Sequence, residues 1–100
     1  MANKFSLSKK AVEDLSGIWE YSIHAESEIQ ADKYYNMLLG VCQGLADGTT
    51  VARQYPEIHP DLFGARAGQH LIFFRCIKKD TIEVVSILHG GLNLRNRMEE

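Results

Sequence analysis

At 100 residues with a formal net charge of −2, the chain has room for one compact domain with one modest core, and it exerts no overall electrostatic pull toward nucleic acid. A content of 45% hydrophobic and 24% charged residues, with only two prolines, excludes global disorder. No apolar run approaches the roughly 20 residues that a bilayer span requires, and the first residues lack the apolar centre of a secretion signal, so a cytoplasmic location is expected.

The first element is a short strand over Lys4-Phe-Ser-Leu, where polar and apolar residues alternate. Ser8 then offers an N-cap for a helix whose apolar side carries Val12, Leu15, Ile18, Trp19, Ser22 and Ile23, opposite Glu13, Gly17, Glu20 and His24. A polar break from His24 to Glu28 follows, and Ser27-x-x-Gln30 has the pattern of a capping box. The second helix gathers Ala31, Tyr34, Tyr35, Leu38, Val41, Cys42 and Leu45 on one face and stops before Gly48. Helices joined this closely run antiparallel, so the pair is a hairpin whose apolar stripe needs a cover.

That cover comes from the second half. Residues 49–61 are irregular, with Pro56 and Pro60 excluding a central strand, and three strands follow at Leu62 to Ala67, Gln69 to Lys78 and Thr81 to Leu88. The last two are apolar at both parities over most of their length, which places them inside the sheet. Gly68 and Lys79-Asp80 mark hairpin-length turns. The order β-α-α-β-β-β predicts an α+β domain spanning 1–100, with a helical hairpin packed on a mostly antiparallel sheet.

Chemistry-bearing motifs are sparse. Cys42 and Cys76 sit far apart in apolar surroundings with no metal-ligand spacing, so both are expected to be buried structural thiols and no metal or cofactor is implied. No nucleophile elbow and no phosphate-binding glycine loop is present. Glu13 and Asp14 are expected to be solvated. A metal-independent ribonuclease would have to draw on the scattered cations and imidazoles of the second half, with Arg66 and Arg75 stabilising charge and His89 moving protons. No tyrosine follows residue 55 to serve as a further proton donor there. The blander expectation is that Arg75 pairs with a carboxylate. Trp19, Tyr21, Tyr34 and Tyr35 are expected in the core or half-buried, with any uncovered aromatic surface available to a partner.

Four segments in order resemble the ParE branch of the RelE/ParE toxins: Phe5-Ser-Leu-Ser-Lys-Lys-Ala-Val-Glu-Asp-Leu-Ser-Gly-Ile-Trp-Glu-Tyr, Gln30-Ala-Asp-Lys-Tyr-Tyr, Gly68-Gln-His-Leu-Ile-Phe-Phe-Arg and Ile82-Glu-Val-Val-Ser-Ile-Leu-His. The resemblance implies the toxin of a type II toxin–antitoxin pair, acting on DNA gyrase by protein binding without catalysis. It also implies a ParD-like antitoxin, whose segment would fold over the hairpin against Trp19, Tyr35, Met37 and Leu39. Target contacts would fall on Arg66, Arg75, His89, Arg95 and Arg97. The RelE branch, which cuts messenger RNA in the ribosome, is the alternative on the same scaffold, and a toxin of decayed activity is a third reading. Two positions depart from the resemblance: Ser86 stands where an arginine is usual, and Gly91-Leu-Asn replaces a stretch that commonly ends Met-Asp.

Overall fold

The computed structural model describes residues 4–89. The elements run β1 (Lys4–Leu7), α1 (Lys9–Ala25), α2 (Glu28–Asp47), β2 (Arg53–Gln54), β3 (Phe63–Ala67), β4 (His70–Lys78) and β5 (Thr81–His89). All strands join one sheet in the order β1-β5-β4-β3-β2. The three long strands are antiparallel neighbours as expected, and β4 and β5 are interior. Two features escape a strand-by-strand reading: β1 adds in parallel beside β5, and a two-residue strand edges β3 within the segment expected to be irregular.

Local chemistry explains most boundaries. The Ser8 hydroxyl accepts the Ala11 N–H at 3.0 Å, and the Ser27 hydroxyl accepts the Gln30 N–H at 3.1 Å, so each helix starts on a serine cap. Helix α1 continues through His24 and Ala25, which shortens the expected break to Glu26 and Ser27. At the far end of α2, Gly48 takes φ +80 and its N–H bonds back to Gly44 and Leu45, a left-handed cap that favours glycine. Gly68, at φ +59, opens the β3–β4 turn. Neither Lys79 nor Asp80 adopts positive φ, and the β4–β5 ladder absorbs the difference in a register shift between Cys76 and Lys78.

The helices cover one face of the sheet. Ala11 and Leu15 of α1 and Leu38, Cys42 and Leu45 of α2 pack there with Ala65, Ala67, Ile72, Phe74, Ile82, Val84 and Ile87, and Phe5 and Leu7 of β1 close the side. The buried stripe of α1 is therefore centred on Ala11 and Leu15. Val12, expected on that side, is 47% exposed, because the Ser8 tether to β5 sets the rotation of the helix. The opposite face of the sheet holds a smaller cluster of Leu62, Leu71, Phe73 and Leu88, covered by Tyr55 and Ile58 from the 55–62 turn. Both faces of the middle strands are thus buried, which accounts for their double-parity apolar pattern.

Two burial expectations are corrected. Cys76 is exposed: the last β3–β4 pair is Phe63 with Phe74, so β4 runs beyond its neighbour and residues 75–78 lose their cover. Tyr21 is 75% exposed rather than half-buried, since it stands on α1 away from the sheet. Cys42, by contrast, is fully buried, and burial pushes its thiol up to about 11. No described helix is long and apolar enough to cross a membrane.

Candidate partner-binding grooves

Helix α1 crosses the sheet end where β4 begins and β5 finishes, and α2 closes the opposite wall. The space left between them is a groove of about 700 Å³. Its lining includes Glu13, Gly17, Ile18 and Tyr21 from α1, Lys33, Tyr34 and Met37 from α2, Gln69 from the β3–β4 turn, and His70 and His89 from the strands.

The floor of this groove is a polar cluster assembled from four elements. The Tyr34 hydroxyl accepts the Gln69 N–H at 3.0 Å and lies 2.5 Å from His70 Nδ1. Having accepted one proton from the backbone, the hydroxyl is placed to donate its own to a neutral His70 ring. Burial, and then the neighbouring His89, hold His70 below the ordinary histidine range, and Asp14 opposes them in part. His70 and His89 are cross-strand partners and meet edge to face, with ring centres 5.5 Å apart. Tyr34 also packs edge-on to His70 at 5.4 Å. Gly68 makes this possible in a second way: a side chain there would collide with the Tyr34 ring.

Asp14 is a further residue that the sequence placed wrongly. Its carboxylate is only 19% exposed, accepts the Ile87 N–H at 3.0 Å and pairs with Lys10 at 3.0 Å, so it fastens α1 to β5 instead of facing water. Tyr34 was legible as an apolar-face residue, but its hydroxyl partner depends on the distant β3–β4 turn. A tyrosine on a buried stripe needs a polar partner for its tip, and that was the available signal. The fold thus supplies to the start of β4 the tyrosine that the chain after residue 55 lacks.

A shallower groove of about 430 Å³ runs along the outer side of the hairpin between Ser16, Trp19, Glu20, Asp32 and Tyr35. The Trp19 indole N–H donates to Asp32 Oδ1 at 2.9 Å, which holds the half-buried ring across the two helices. Of the four residues expected to meet an antitoxin, Trp19 and Tyr35 share this groove, Met37 lines the inner one, and Leu39 lies one helical turn from Tyr35.

The residues considered for target contact or nuclease chemistry are dispersed. Arg66 and Arg75 are exposed on the strands of the face opposite the helices, with Arg75 paired to Glu83 at 3.0 Å. Arg66 pairs with Leu71 in the ladder, four residues from Arg75, a separation of about 13 Å along a strand. His89 shares the helix-covered face with His70. Arg66, Arg75 and His89 are therefore not brought together, and Arg95 and Arg97 lie outside the described residues. Ser86 is 1% exposed within the sheet, opposite Phe73.

Comparison with known proteins gives a consistent result. The family described as the ParE toxin of the type II toxin–antitoxin system parDE matches residues 5–93. A Toxin ParE1 from Mycobacterium tuberculosis (strain H37Rv) is 30% identical over 94 residues, covering 94% of this chain and 96% of the relative. A Toxin ParE1 from Caulobacter vibrioides is 25% identical over 91 residues, covering 91% and 93%. Among solved structures, one titled as the chromosomal ParDE system from P. aeruginosa superposes with a TM-score of 0.68 at 17% identity, over 88% of this chain and 96% of that one, which shows a shared fold. The chain belongs to the ParE toxin family of type II toxin–antitoxin systems.

Proposed function

We propose that this toxin acts in the cytoplasm by binding DNA gyrase, without catalysis of its own, and that a ParD-like antitoxin neutralises it by folding along the helical hairpin. The observation that carries the reading is the family match through residues 5–93, which embraces both helices and every long strand. The geometry adds support for a protein partner: the hairpin offers half-buried aromatic rings beside concave surface, the kind of site where interface energy concentrates. Trp19 and Tyr35 would anchor the antitoxin in the outer groove, with Leu39 and Met37 extending the contact. Arg66, Arg75 and His89, with Arg95 and Arg97, would serve target contact at dispersed points of the surface.

A supercoiling assay with purified gyrase tests the target. Stoichiometric toxin is expected to block supercoiling and stabilise cleaved DNA, and added antitoxin to restore activity. Unaffected gyrase, together with ribosome-dependent cuts in mapped transcripts after induction, would replace this reading with the ribonuclease one.

A further inference from the structure

We propose that the inner groove receives a segment of the antitoxin carrying a lysine or arginine beside an aliphatic side chain, so that recognition there depends on a positive charge supplied by the partner. The inference rests on the antitoxin reading above and adds to it the chemistry of the segment and its place.

Three observations point the same way. The first is charge. Between Lys9 and Asp47 the hairpin holds seven carboxylates against three lysines, so the surface a partner meets here is the acidic part of the molecule. At the groove itself, Glu13 and Glu26 are exposed at the rim, while Lys10 is already engaged with Asp14. Among the described residues, Lys33 is the only lysine or arginine in the groove lining. Of these described side chains, a basic group entering between Glu13 and Glu26 meets a lysine or arginine only at Lys33, and the neutral form of His70 adds no charge.

The second is shape. Glu13, Gly17 and Tyr21 succeed one another at four-residue spacing, forming one stripe along α1. At Gly17 a side-chain carbon would find nothing within 4 Å. A glycine in mid-helix costs about 1 kcal/mol relative to alanine, and here it is accompanied by an open slot between a carboxylate and an exposed tyrosine. The third is the apolar lining beside that polar floor. Ile18, Met37 and Ile87, which pack on the helix-covered face, suit the methylene stem of a long cation or a neighbouring aliphatic residue.

The test measures binding of the full-length toxin to the protein encoded by the reading frame adjoining its own gene, by calorimetry at low and moderate salt. Glu13→Lys with Glu26→Lys is expected to weaken binding at least tenfold at low salt and to flatten the salt dependence, while Asp61→Lys, distant from the groove, leaves both unchanged. Gly17→Leu separates binding from folding: it is expected to raise the melting temperature through better helix propensity and still weaken binding tenfold or more. Wild-type affinity in both variants overturns the inference while leaving the antitoxin reading intact. Failure of the wild-type toxin to bind that protein at all overturns the antitoxin reading and this inference with it. If removal of residues 90–100, and not the Glu13 and Glu26 changes, governs affinity, the groove belongs to the chain's own tail and the inference falls.

Discussion

Single residues in this fold derive their properties from partners far away in sequence, and His70 shows the consequence most directly. Its ring is half-buried against Tyr34, faces His89 across the ladder and lies near Asp14 of α1. Burial and His89 lower its folded-state value below the ordinary 6.5, so the unfolded chain binds a proton more readily than the folded one. Stability from this group is therefore fully present above about pH 6.5 and declines as the pH falls through the lower folded-state value. In urea titrations, His70→Gln should lose stability at pH 7.5, where the Tyr34 contact is broken, and show a shallower loss than wild type between pH 6.5 and 5. Equal slopes in that window would mean His70 is not the responsible group. Ser86 gives a second residue-scale expectation. An arginine belongs at this position in the family resemblance, yet the serine is buried opposite Phe73. Forcing a guanidinium into that space leaves a charge without water, so Ser86→Arg should cost about 3 kcal/mol or more in chemical denaturation. Such a variant would be a poor way to heighten toxicity.

At the scale of elements, the two helices start on chemically alike caps that are expected to contribute unequally. The Ser27 hydroxyl accepts one N–H at an exposed site, and its loss should cost about 1 kcal/mol. The Ser8 hydroxyl accepts the Ala11 N–H and also donates to the Val85 carbonyl at 2.9 Å, so it caps α1 and pins that helix to β5 at once. Adding a net hydrogen bond of about 1 kcal/mol brings Ser8→Ala to about 2 kcal/mol, twice the effect of Ser27→Ala in parallel urea titrations. Both caps were readable in the sequence because their signal is local: an oxygen three residues ahead of an orphan N–H. The strand order of the long hairpins was readable for the same reason, with turns at Gly68 and Lys79-Asp80. What the sequence hid is non-local. The Asp14–Ile87 bond, the Tyr34–His70 contact and the exposure of Cys76 each depend on where one element ends against another, and a residue's own neighbours do not encode that. Half of the candidate site followed this pattern: Trp19 and Tyr35 were legible from helical spacing, whereas the histidine pair became a pair only through the β4–β5 register.

For the molecule as a whole, the decisive contact is between the two ends of the described chain. β1 is only four residues long, but it joins β5 in parallel, with Lys4 N–H donating to the Asp80 carbonyl at 3.0 Å and Ser8 N–H to the Val84 carbonyl at 2.9 Å. Phe5 and Leu7 seal the core beside Ile82 and Val84. Half-burial of those two side chains contributes about 2–3 kcal/mol, and the ladder bonds about 1 kcal/mol each. Set against a total of about 5–15 kcal/mol for a domain this size, the strand holds about a quarter or more of the margin. Its loss would also bare the edge of an interior, largely apolar strand, a template for intermolecular pairing. A chain beginning at Ser8 should therefore unfold at much lower urea concentration and migrate as aggregates in size-exclusion chromatography. Binding to the proposed antitoxin should fall in the same proportion as the folded fraction. The reason is geometric: β1 holds β5 in place, and β5 receives the Ser8 and Asp14 fastenings that set α1 across the sheet end. The groove walls are thus products of the complete sheet, and a truncated chain that stayed folded and monomeric yet failed to bind would show instead that β1 itself touches the partner.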